Sequence, residues 1–148
     1  MSIENKIGAD DVLLLMSEDR TNILLNTLPA AEQNCLIKNT TLVEMEEYAV
    51  NTILSERKSH NTKIIIYGKN HTDKSPIIKY RQLIRLGYDE RLLYIYSGGL
   101  FEWSCLQLLD KIKDDASLAI KERYETTCPC NDPFSYKPLS MLMHNFIS

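Results

Sequence analysis

Lys63-Ile64-Ile65-Ile66-Tyr67 is followed by the polar stretch Gly68-Lys69-Asn70-His71-Thr72-Asp73-Lys74-Ser75, and then by Pro76-Ile77-Ile78-Lys79-Tyr80. Three consecutive isoleucines leave no polar residue to face water, so their strand is buried on both faces, as a central strand of a parallel sheet is. Ser75 can cap the next helix and Pro76 suits its first turn; Ile77, Ile78, Tyr80, Leu83 and Ile84 continue it as far as Gly87. Strand, loop and helix in this order place the loop at the carboxyl end of a strand, where parallel α/β sheets bind ligands. Such a loop can turn its backbone N–H groups toward an anion over the helix dipole.

The same alternation continues in both directions. Leu92 to Tyr96 reads as a strand, Ser97-Gly98-Gly99 as a tight turn, and Leu100 to Ile112 as a helix. Upstream, Asp10 to Met16 suggests a short buried helix. Asn22 to Leu28 is an apolar run stopped by Pro29, which suits a strand, and Cys35-Leu36-Ile37 is a shorter strand candidate. Between them and the isoleucine strand, Leu42, Met45, Tyr48, Ala49 and Ile53 recur at helical spacing, with Thr41 and Glu44 placed as a capping box. Strands alternating with helices predict an α/β domain with a mainly parallel sheet covered by helices on both faces. The pattern breaks after about Lys113. We therefore expect one domain over residues 1–125, with residues 126–148 as an irregular tail packed on it.

Composition fits one ordinary globular unit: 148 residues, 44% hydrophobic and 25% charged, with a formal net charge of −3. The scattered Lys and Arg residues offer no footprint for nucleic acid. No apolar run approaches the roughly 20 residues needed to cross a bilayer. Met1 to Asp10 carries acids and lacks the regions of a signal peptide, so a reducing, cytoplasmic location is expected. Cys35, Cys105, Cys128 and Cys130 are then expected to be free thiols, and their spacing suggests no metal site.

Beyond the isoleucine loop the order is Gly87-Tyr88, a strand, then Gly98-Gly99-Leu100-Phe101-Glu102-Trp103. In this order and spacing the chain resembles the rhodanese family. The Gly-Gly-x-x-x-Trp piece is its most specific part, and the likeness runs from about Ile7 to Asp110. It implies the rhodanese fold, a five-stranded mainly parallel sheet flanked by helices on both faces. Directly after the strand, where active members carry a persulfide-bearing cysteine, this chain has Gly68. A thiolate is both nucleophile and sulfur carrier there, and glycine can be neither. Asn26 and Leu28 stand where the family usually has Asp and Arg. Lys74 lies six positions after Gly68, a spacing similar to the Cys-x(5)-Arg loop of the cell-cycle dual-specificity phosphatases. Lysine, however, lacks the planar fork that grips a phosphoryl group.

The resemblance therefore implies an inactive rhodanese-like domain, with no catalytic residue and no cofactor. Its role would be that of a protein-interaction or structural module, bound to a partner protein or to itself. The alternative is a sulfurtransferase or phosphatase-like enzyme with a non-standard nucleophile. Gly68, Lys69, Asn70, His71, Thr72, Asp73, Lys74 and Ser75 form the vestigial loop, able at most to hold an inorganic anion weakly. His71 could be a base or an exposed polar histidine; Lys69 and Lys74 could grip an anion or simply balance Asp73. Cys35 and Cys105 read as core residues, while Cys128 or Cys130 could reach the loop from the tail.

Overall fold

Residues 64–66 are fully shielded from solvent, with paired strands on both sides of them. The computed structural model describes residues 4–56, 61–114 and 123–128. In chain order its elements are β1 (Lys6–Ile7), α1 (Ala9–Glu18), β2 (Ile23–Asn26), β3 (Leu36–Ile37), α2 (Val43–Ser55), β4 (Ile64–Tyr67), α3 (Ser75–Arg85), β5 (Leu93–Tyr96), α4 (Gly99–Asp114) and β6 (Thr126–Thr127). Short 3-10 turns occupy Ala30–Glu32 and Glu90–Leu92. The main sheet has the order β1-β5-β4-β2, and each of its pairings is parallel. Ile65 lies opposite Leu24 on one side and Tyr94 on the other, so the isoleucine strand is central.

The pleat sorts the sheet residues between two cores. Leu24, Ile65, Tyr67 and Tyr96 face α1 and α4 through Val12, Leu15, Leu100 and Trp103. Leu25, Ile64, Ile66, Leu93 and Ile95 face α2 and α3 through Val50, Ile53, Tyr80 and Leu83. Burying each of the three isoleucines stabilises the fold by about 1.5–3 kcal/mol. An α/β domain with a parallel sheet covered on both faces is thus what the chain forms.

Four strands, not five, make up the main sheet among the described residues. In the fifth position only Thr40 forms a parallel bridge to Leu24, with the Thr41 N–H donating to the Leu24 carbonyl at 2.8 Å. The cause is local. Leu36–Ile37 pair antiparallel with Thr126–Thr127 instead, and Asn39 turns the chain with a positive φ of 71°. That leaves too few residues beside β2 for a ladder before α2 begins at Val43. The stretch Thr126–Thr127, expected to be irregular, is therefore a strand; residues 129–148 lie outside the described residues.

Three further expectations are corrected. Of the expected α2 stripe, Ile53 is buried and Ala49 half-buried, whereas Leu42, Met45 and Tyr48 are exposed, and Val50, outside that stripe, joins Ile53 in the core. Its N-cap is Leu42, with no side-chain capping bond from Thr41. Cys35 and Cys128 are not free thiols but form a disulfide across 93 positions of sequence. The pairing of β3 with β6 brings these flanking residues together, a proximity that sequence spacing cannot display. Cys105 is a free, half-buried thiol.

Candidate functional site

β4 delivers the loop to the carboxyl edge of the sheet, and α4 holds its start in place. The Leu100 N–H donates to the Gly68 carbonyl at 3.0 Å, and the Phe101 N–H to the Lys69 carbonyl at 2.8 Å. Backbone can approach backbone this closely only because Gly99 lacks a side chain. A Cβ there would stand 2.8 Å from the Gly68 carbonyl oxygen, and its φ of +70° is the left-handed region that glycine favours. The Gly98-Gly99 turn read from the sequence thus clamps the loop as well as bending the chain.

The loop closes on its own aspartate. The Asp73 carboxylate accepts the Lys69 N–H at 2.8 Å, the Ser75 N–H at 2.9 Å and the Ser75 hydroxyl at 2.8 Å. It also fills the space over Gly68: a Cβ on that residue would collide with the Asp73 carboxylate and stand 2.8 Å from Pro76 Cγ. Asn70 is buried, and its Oδ1 accepts the Thr72 N–H at 3.0 Å and the Thr72 hydroxyl at 2.7 Å. Two backbone N–H groups and one hydroxyl of the loop are thereby committed to an anion the chain itself supplies.

Lys69 turns away from the role expected of it. It is buried, and its Nζ pairs with Glu32 at 2.6 Å on the turn after β2. Lys74 and His71 are exposed. Beside the loop, the Thr27 and Ser75 hydroxyls share a hydrogen bond of 2.7 Å, and the Thr27 N–H donates to the Tyr67 carbonyl at 3.0 Å. Thr27, Pro29, Lys69, Asn70, Thr72, Asp73, Lys74 and Ser75 line a hollow of about 360 Å³. The eight positions singled out in the sequence therefore do form one local structure, but with a carboxylate at its centre. Glu32, Thr27 and Pro29 were not foreseen. Asp73 had a signal: an aspartate two residues before a helix-opening Ser-Pro favours a side chain bonded back to the backbone.

Among the described residues the free and bonded cysteines sit elsewhere, and Cys130 lies outside those residues. Cys105 lies on α4, where burial and the nearby Glu102 charge raise its thiol pKa. Cys128 is held against Cys35 at the β3–β6 pair. Trp103 is core: it packs edge-on against Tyr96 and Tyr124, and its indole N–H donates to the Glu125 carbonyl at 2.9 Å. Among the described residues no cluster of three His, Cys, Asp or Glu side chains has metal-site geometry. None of the described helices is long and apolar enough to cross a membrane.

Fold and loop together define an α/β domain with a hollow at the carboxyl ends of its parallel strands. Its architecture is similar to that of the crystal structure of the BH2092 protein from Bacillus halodurans, with a TM-score of 0.53 and 15% sequence identity, over 70% of this chain and 73% of that one. At that identity the likeness is one of fold. The chain matches no protein-family model and no curated protein.

Proposed function

We propose that this chain is a catalytically silent rhodanese-like domain that serves as a protein-interaction or structural module. The reading rests on the order of strand, loop, helix, Gly87-Tyr88, strand and Gly98-Gly99-x-x-x-Trp103, together with a parallel sheet carrying that loop at its carboxyl edge. One observation carries it furthest. Position 68 has no side chain, and the space that a nucleophile would enter there holds the Asp73 carboxylate. A carboxylate at the loop centre also repels the anionic sulfur donors and phosphate esters that such loops receive.

An enzyme with a displaced nucleophile finds less support. Neither Cys105 nor Cys128 lines the loop hollow: Cys105 lies on α4, and Cys128 stands beside Cys35 at the β3–β6 pair. Weak binding of an inorganic anion at Gly68–Ser75 would require Asp73 to leave, since Lys69 is already paired with Glu32. A cytoplasmic location belongs to the same proposal. Alkylation of thiols in intact cells checks it: an open Cys35–Cys128 pair supports the location, and a closed pair contradicts it. Activity is tested by assaying sulfur transfer from thiosulfate to cyanide and hydrolysis of a general phosphatase substrate. Background rates in both are expected, and saturable turnover in either would overturn the silent-domain reading.

A further inference from the structure

Residues 123–128 form a strap against Trp103, and their polar hold on the domain converges on one carbonyl. The Glu125 carbonyl accepts the Trp103 indole N–H at 2.9 Å and the Lys38 backbone N–H at 3.0 Å. Tyr124 is buried and meets the Trp103 ring edge-on, with 5.1 Å between centroids. Among the described residues β6 then pairs with β3 through two rungs, Ile37 with Thr126 and Leu36 with Thr127. Cys35 and Cys128 occupy the next rung of that register, where the disulfide joins them. A two-stranded pair this short is marginal by itself. A cross-link that closes 93 positions of chain supplies what the ladder lacks.

The two cysteines differ in access. Cys35 is 7% exposed, whereas Cys128 is half-buried at the end of the strap. Thiol–disulfide exchange begins when a thiolate reaches one of the two sulfurs, so access favours attack at Cys128. The strap also walls a cavity of about 280 Å³, lined by its Arg123 and Glu125 and, on the body, by Val12, Met16 and Trp103. Freeing the strap takes that wall away and uncovers Trp103.

We propose that the Cys35–Cys128 pair is a redox-modified site, a reversible latch that small thiols open through Cys128 and small disulfides close. A thiolate RS− attacks the Cys128 sulfur; the S–S bond breaks, and Cys35 leaves as a thiolate that takes a proton from water. A second RS− attacks the R sulfur of the mixed disulfide, expelling the Cys128 thiolate and forming RSSR. Two electrons thus pass from two small thiols to the protein, and with RSSR as oxidant the same steps run backwards. In a reducing compartment the latch stands open. The site lies apart from Gly68–Ser75, so it and the silent-domain reading fail separately.

Hydrogen exchange of the full chain, followed by NMR in oxidised or reduced glutathione, tests the latch. On reduction the Trp103 indole N–H and the Lys38 N–H should exchange about ten-fold faster or more, and faster than the Ile65 N–H of the central strand. Reoxidation should restore the slower rates. In Cys35→Ser, oxidised glutathione should add to Cys128, as located by peptide mass, whereas in Cys128→Ser the buried Cys35 should stay unmodified. Unchanged exchange at Trp103 and Lys38 in the reduced chain would overturn the proposal. So would a reduced chain in which both exchange only at the rate of Ile65, because the strap would then open only with the whole fold. Failure of excess reduced glutathione to open the pair in the folded chain, or a Cys35 bond to Cys130 in place of Cys128, would overturn it too.

Discussion

The Asp73 carboxylate lies where a side chain on Gly68 would have to go. It is held there by the Lys69 and Ser75 N–H groups and by the Ser75 hydroxyl. A side chain at position 68 and the internal carboxylate therefore exclude one another: adding the first requires removing the second. Gly68→Cys alone should destabilise the domain by about 1–3 kcal/mol through overpacking. Gly68→Cys with Asp73→Ala should recover part of that loss. Urea denaturation of the two variants decides the point; a fully stable single variant would show that the hollow yields more easily than the geometry implies.

Asp73 also governs what the loop can hold. Asp73→Ala strips three hydrogen bonds from the loop and should cost about 1–3 kcal/mol. It also frees the Lys69 and Ser75 N–H groups to face an external anion at the N-terminus of α3. Phosphate at tens of millimolar should therefore raise the melting temperature of Asp73→Ala more than that of the parent chain. Equal responses would mean that the carboxylate does not occupy the anion position.

The Lys69–Glu32 pair is nearly enclosed, with side chains 9% and 18% exposed. Breaking it leaves a charge in a shielded place, so Glu32→Gln should destabilise by about 1–3 kcal/mol, below the cost of a fully buried pair. Replacing both residues should cost less than the sum of the single changes. A double-mutant cycle in urea measures this coupling, and strict additivity would show that the pair is solvated in practice.

Alkali should unfold the domain through its tyrosines. Tyr124 is pushed up to about 12, first by the hydrogen bond it donates to Asp10 and then by burial. Burial also raises Tyr67, Tyr88 and Tyr96. A phenol with a raised folded-state pKa keeps its full contribution below its unfolded value near 10 and loses it as pH climbs through the folded value. Stability should thus be flat with respect to these groups below about pH 10 and fall between about 10 and 12. Tyr124→Phe should flatten part of that fall; an unchanged slope would remove Tyr124 from the account.

Much of the fold was legible because burial on both faces leaves a plain mark. Ile64-Ile65-Ile66 identified the central strand, and Ser75-Pro76 and Gly87 bracketed α3 almost to the residue. What could not be read depends on contacts distant in sequence. β1 is two residues between Asn5 and Gly8, without periodicity, and exists because β5 offers it an edge. β3 left the main sheet because β6 paired with it. The stripe on α2 misled because helical spacing gives the width of an apolar face and not what lies against it. At the candidate site the loop was found as a segment, but the partners of its charges were not: Glu32 lies 37 positions from Lys69.

The central claim is that this loop carries no sulfur. Intact-mass measurement after incubation with thiosulfate tests it most directly. The account predicts an unchanged mass and no thiocyanate on adding cyanide, because Gly68 offers no thiolate and Asp73 closes the hollow over it. One added sulfur atom on Cys128 or Cys130, released as thiocyanate by cyanide and lost on serine substitution of that cysteine, would contradict it.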